Sequence, residues 1–144
     1  MEELSLRDVR LRKLARLKEI GLDPFAVERW HRPESASALV ARTPEEGSVD
    51  GVSFAGRVVS HRIMGKAGFA HLSDGDARIQ VYVRRDDVTP EEWEAFKELA
   101  DLGDHYGVEG SLSRTRTGEA SIFVSRLRPL SKALSAIPIG KEKD

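Results

Sequence analysis

The chain has 144 residues, no cysteine, four histidines and a formal net charge of −1, which is the size of one ordinary domain with a helical extension and a modest core. The missing cysteines exclude disulfides and thiolate metal sites, and His31, His61, His71 and His105 lack metal-ligand spacing, so neither a metal nor a cofactor is expected. No apolar run approaches membrane length and the N-terminus is charged rather than signal-like, so the chain is read as cytoplasmic with no membrane partner.

The first element is a helix. Ser5 followed by Asp8 reads as its start, and Gly21 followed by Pro24 as its stop. Leu6, Val9, Leu11, Leu14, Leu17 and Ile20 form a broad apolar stripe interleaved with Arg7, Arg10, Arg12, Lys13, Arg16 and Lys18. Packing on a neighbouring surface is the expectation, with RNA binding or pairing with a protein partner as alternatives. From Asp23 to Asp50 the chain is rich in Pro, Ser, Ala and Gly. That stretch reads as a connector with at most a short helix near Ser35–Arg42.

Strand patterns begin at Val52. Val52, Phe54 and Val58 alternate with Ser53, Ala55 and Arg57. Strict alternation beyond that point would bury Arg62, so a bulge is expected near Val59–His61. In the second strand Gly68, Ala70 and Leu72 point one way and Phe69, His71 and Ser73 the other. Asp74-Gly75 is a hairpin turn signal. Ala77, Ile79, Val81 and Val83 then make an apolar face, leaving Arg78, Gln80 and Tyr82 opposite. Thr89, Pro90 and Glu92 cap a helix running to about Ala100, with Trp93, Phe96 and Leu99 inward. Tyr106, Val108, Gly110 and Leu112 form a fourth strand face, Thr117-Gly118 turns the chain, and Ala120, Ile122 and Val124 form a fifth. Three strands, a helix and two strands are the layout of an OB-fold, a mainly β five-stranded barrel with its helix between strands three and four.

The charge is segregated. Asp86–Asp104 holds eight acids against Lys97, whereas the rest of Gly51–Leu130 holds ten bases (Arg57, Arg62, Lys66, Arg78, Arg84, Arg85, Arg114, Arg116, Arg126 and Arg128) against four acids, Asp74, Asp76, Glu109 and Glu119. A local positive field attracts phosphates whatever the total charge. Alternation puts Phe69 and Gln80 away from the core, where a ring can stack on a base and an amide can read its edge. The competing reading packs Phe69 under a loop and leaves Gln80 as ordinary surface. Arg62, Arg78 and Lys66 are candidates for phosphate neutralisation or stacking, and singly each also fits a solvated charge. Glu119 can accept from a base N–H, conferring specificity, or can pair with Arg114 or Arg116. Gly65 and Gly68 open no strand-to-helix phosphate loop, and no nucleophile elbow or paired carboxylates occur. No catalytic residue is assigned.

Several motifs occur together: Gly-Arg, seven residues and Gly-Lys-Ala-x-Phe over Gly56–Phe69, then the run Arg78–Asp87, and Leu102–Asp104. Val108–Gly110, Arg114–Glu119, Leu130–Leu134 and the opening segment Gly21–Phe25 extend the set over nearly the whole chain. Together they resemble the N-terminal anticodon-binding domain of class II lysyl-tRNA synthetases. The resemblance implies a barrel that holds the uridine-rich lysine anticodon. It implies Phe69 stacking on a uridine, Gln80 and Arg62 reading its edge, and Glu119 as a further anticodon contact. Family members continue into a large catalytic domain, whereas here Ser135–Pro138 leads to a charged ending at Asp144 without the class II ATP-binding motifs. Ligase activity is therefore not expected of these 144 residues alone.

The expected organisation is an N-terminal helix and connector over residues 1–50, the OB-fold over 51–134 and a tail over 135–144. The expected partner is tRNA through its lysine anticodon loop, with self-association or a synthetase partner possible. The rival function is a free-standing, general single-stranded nucleic-acid-binding OB protein.

Overall fold

The computed structural model describes residues 5–26 and 29–135. Of the expected tail, residues 136–144 lie outside the described residues. Five strands form a closed barrel in the order β1-β2-β3-β5-β4: β1 Ser48–Met64, β2 Ala67–Ser73, β3 Arg78–Arg84, β4 His105–Arg114 and β5 Ala120–Ser131. β1 is long because it serves two neighbours. Its first half pairs with β4 and its second half with β2, and Arg57 stands at the crossover, opposite both His105 and Ser73. β1 begins at Ser48, four residues before Val52, and the addition is accommodated by a register shift between Val49 and Val52 at Gly51, whose φ is 78°. The bulge needed to keep Arg62 outside lies between Val58 and Ser60, and Arg62 is exposed.

Alternation decides the core. Phe54, Leu72, Ile79, Val81, Val83, Val108, Leu112 and Ile122 are all buried inside the barrel. One end is filled by α3 (Pro90–Glu94) and the π-helical turn Ala95–Leu99 that continues it, through Trp93, Phe96 and Leu99. Glu92 completes a capping box with Thr89 and uses its other oxygen to accept from the Leu127 N–H, tying the helix to β5. The short helix of the connector, α2 (Ala36–Ala41), is capped by Ser35 and buries Ala36 and Leu39. The Asp74 carboxylate in the β2–β3 turn accepts from the N–H groups of Ala36, Asp76 and Ala77, so one side chain pins α2 to the barrel.

The N-terminal helix α1 (Leu6–Glu19) does pack on a neighbouring surface, yet only Leu17 and Arg10 are buried while Leu6 and Leu11 remain exposed. Its docking is largely electrostatic. Lys13 binds Asp101 at 2.9 Å, Arg16 grips Glu94 at 2.7 and 3.0 Å, and Arg10 donates to the carbonyls of Ala133 and Ser135. The acidic segment is thus the dock for the basic helix. Beneath it the ammonium of Lys132, wholly buried, donates to Leu99 O at 2.9 Å, to Asp104 at 2.7 Å and to Asp101. Burial pushes the Asp104 carboxyl up despite Lys132. At Asp101 burial acts in the same sense, but bonds from Lys132 and Lys13 outweigh it and hold the carboxyl below its usual value.

Candidate nucleic-acid interface

The register of β1, β2, β3 and β5 lays two parallel rows of side chains across the outer face of the barrel. The first runs Arg62–Phe69–Tyr82–Phe123, each residue the direct cross-strand partner of the next. The second, two residues along each strand, runs Ser60–His71–Gln80–Ser121. One row is aromatic with a guanidinium at its edge; the other is polar throughout. They follow from period-two alternation, which sends every second residue of each strand outward.

These rows, apart from the buried Ser121, floor a groove of about 840 Å³, walled by Arg78 and by the β4–β5 turn through Thr115, Arg116, Thr117 and Glu119. The rings are ordered against one another. Phe69 stacks on Tyr82, with centroids 4.7 Å apart and planes at 27°, and Tyr82 meets Phe123 edge-on at 5.1 Å. Phe69 is half-buried rather than fully exposed, because its neighbour covers part of it. His61 closes the helix side of the groove, with Nε2 2.7 Å from the Phe96 carbonyl.

Gln80 is 8 % exposed, its amide Nε2 donating to Ser121 Oγ at 2.9 Å. Ser121 Oγ in turn donates to the Glu119 carbonyl at 3.2 Å. The amide is therefore oriented by protein contacts before any ligand arrives. Glu119 emerges from a tight turn in which Thr115 accepts from Gly118 N–H and donates its own N–H to Glu119 O, with Gly118 at φ 94°. Its carboxylate meets His71 Nε2 at 2.8 Å. The expected alternative partners, Arg114 and Arg116, are replaced in that role by a histidine.

The groove brings together Arg62, Phe69, Arg78, Gln80, Arg116 and Glu119. It does not include Lys66 or Arg114. Lys66 is exposed in the β1–β2 turn, its carbonyl accepting from Arg85 N–H. Arg114 points behind the β4–β5 turn, donating to the carbonyls of Gly118 and Thr43 and lying 3.9 Å from Glu45. Sequence reasoning passed over His71, Phe123, Ser60 and Ser121 as site residues. Parity alone placed His71 beside Phe69 on the outer face and could have nominated it.

A family model for the OB-fold nucleic acid binding domain of the tRNA anticodon class matches residues 52–130. The chain belongs to that OB-fold family. It is also 46% identical over 135 residues to a lysine–tRNA ligase of Syntrophomonas wolfei, covering 93% of this chain and 27% of that protein. It is 43% identical over 144 residues to the lysine–tRNA ligase of Streptococcus suis, covering 95% and 29% respectively. For the Porphyromonas gingivalis lysine–tRNA ligase the identity is 40% over 151 residues, covering 99% and 26%. This OB-fold chain is thus homologous to lysine–tRNA ligases over most of its length, and it spans between a quarter and a third of theirs. The residues of both rows fall within the family match. Among the described residues no helix is long and apolar enough to cross a membrane.

Proposed function

We propose that the groove receives the anticodon loop of a lysine tRNA, with unstacked uridines laid on the aromatic row and read by the polar row. The chain would then act as the anticodon-binding module of a lysine–tRNA ligase in the cytoplasm. The observation that supports this is the pairing of the two rows. The aromatic row accepts any base, since every base has a π-face. The polar row carries an oriented amide, Gln80, and through His71 it holds the Glu119 carboxylate, groups that a general single-strand binder has no need to fix.

Uracil offers an N–H donor between two carbonyl acceptors, whereas cytosine has an acceptor at the same ring nitrogen. Glu119 supplies the acceptor for that N–H, and Gln80 and Arg62 supply donors for the carbonyls. Arg116 and Arg78 at the walls meet phosphates.

Binding of the purified chain to a lysine anticodon stem-loop and to the same loop with cytidines tests this reading. Tighter binding of the uridine loop, together with slowed charging by an intact lysine–tRNA ligase when excess domain sequesters its tRNA, is expected. Equal affinity for the two loops would establish the general single-strand binder instead.

A further inference from the structure

Among the described residues Glu119 is the one acid that lines the groove, and it stands on a turn with its side chain 45% exposed. Left alone, such a carboxylate would sample several rotamers and would discriminate poorly between a base that offers N–H and one that does not. It is not left alone. His71 projects from the neighbouring polar row with its side chain only 20% exposed, and its Nε2 lies 2.8 Å from Glu119 Oε2. Behind it, Ser60 Oγ sits 2.7 Å from His71 Nδ1 and 3.1 Å from the His71 backbone N–H.

The proton count along this chain is determined by chemistry. An ionised carboxylate only accepts, so Nε2 of His71 carries the hydrogen that faces Glu119. In the neutral ring Nδ1 then bears a lone pair, which the Ser60 hydroxyl fills while its oxygen accepts from the His71 backbone N–H. Every donor has an acceptor, and the ring is held at both nitrogens. One oxygen of Glu119 is occupied by His71. Glu119 lines the groove, so its other oxygen is left to accept from a ligand there.

We infer that His71, held by Ser60, is a positioning residue for base discrimination: it aims the Glu119 carboxylate so that the groove accepts a base N–H and rejects a base acceptor. The inference rests on the uridine reading above and adds the residues that make it selective. It also gives the polar row a direction. Two relays converge on Glu119, one through Ser60 and His71 to its side chain and one from Gln80 through Ser121 to its carbonyl. The side-chain relay governs where the carboxylate points, and the backbone relay governs where the amide points.

The test compares the affinities of variants for the uridine and cytidine stem-loops, with circular dichroism to confirm the fold. His71→Ala is expected to reduce the uridine-to-cytidine affinity ratio by about three- to tenfold, the worth of one oriented hydrogen bond, while the salt dependence of binding stays as in the wild type. His71→Gln places an amide nitrogen near the position of Nε2 and should restore most of the ratio. His71→Asn places it near Nδ1, out of reach of Glu119, and should not. In a Glu119→Gln background His71→Ala should change the ratio no further, because the two residues act as one unit.

A ratio that survives both His71→Ala and Ser60→Ala would overturn the relay and leave the uridine reading standing. So would His71→Ala effects that add in full to those of Glu119→Gln, since His71 would then touch the base itself. A wild-type domain without uridine preference would overturn the uridine reading, and the relay with it.

Discussion

The ring of Phe69 lies against that of Tyr82, its cross-strand neighbour, with 4.7 Å between centroids and 27° between planes. A ring held on one side loses little freedom when a base covers the other. Phe69→Ala is expected to weaken stem-loop binding by about 1–3 kcal/mol and to lower folding stability by less than the roughly 3–5 kcal/mol of a fully buried phenylalanine, because the ring is only half-buried. Fluorescence anisotropy and urea melts on the same variant separate the two. If stability collapses while affinity per folded molecule is unchanged, Phe69 is a packing residue and not a platform.

Arg114 and Arg116 stand two residues apart and serve different ends. Arg116 lines the groove, while Arg114 is tied to Gly118 O, Thr43 O and Glu45. Arg116→Ala should flatten the slope of log affinity against log salt by about 0.7, one phosphate contact on a single strand. Arg114→Ala should leave that slope alone and lower stability by about 1 kcal/mol as its hydrogen bonds are lost. Equal loss of slope in both variants would contradict this division.

Asp74 makes the fold acid-sensitive at a definable place. Burial disfavours its charge, but N–H bonds from Ala36, Ala77 and Asp76, together with Arg32, hold the carboxyl below the usual value. A carboxyl depressed in the folded state contributes fully above its unfolded value of about 3.9 and loses that contribution as pH falls through the lower folded value. Asp74→Asn should therefore be less stable than wild type at pH 7. The gap should close as pH drops below about 4, as read by urea unfolding across a pH series. A gap independent of pH would show that the amide merely packs badly.

Lys132 is buried with two carboxylates and a carbonyl around its ammonium. Removing the ammonium strands the buried Asp104, whose one ion pair among the described residues it supplies, while Asp101 keeps Lys13. Lys132→Ala is expected to cost about 3–5 kcal/mol. Adding Asp104→Asn should recover part of that loss, because the stranded charge goes with it. Thermal melts of the single and double variants decide; no recovery in the double variant would mean that the ammonium's packing, not its charge, is what matters.

Strand parity made most of the barrel readable. Phe69, His71, Gln80 and Tyr82 fall outward and Leu72, Ile79, Val81 and Val83 inward because alternation leaves no other choice. The need to keep Arg62 in water even located the bulge between Val58 and Ser60. What stayed hidden depends on contacts between distant segments. Thr43 lies 71 residues from the Arg114 it captures, and no local pattern announces that. Gly107 looks like an ordinary strand glycine, yet Trp30 from the connector lies so close that a Cβ there would clash with its ring. α1 reads as an apolar stripe among solvated cations, because the partners of its cations, Glu94 and Asp101, belong to an element far along the chain. The same limit hid the partner of Glu119: the two nearby arginines were the obvious candidates, and only the closed barrel brings in His71.

β3 and β5 meet in parallel over only three residue pairs, Gln80–Ser121, Val81–Ile122 and Tyr82–Phe123. The barrel is zipped shut along that narrow seam, and both rows of the groove straddle it. Each row therefore comes whole only when segments 41 residues apart have met. A ligand lying across the seam binds the closed barrel and not an opened one, so it must act as a clasp. At a concentration a hundredfold above its dissociation constant it would add about 2.7 kcal/mol to closure. The amides of Val81 and Ile122 should then exchange with solvent more slowly when RNA is bound, turning the weakest join of the barrel into the place where occupancy is most strongly felt.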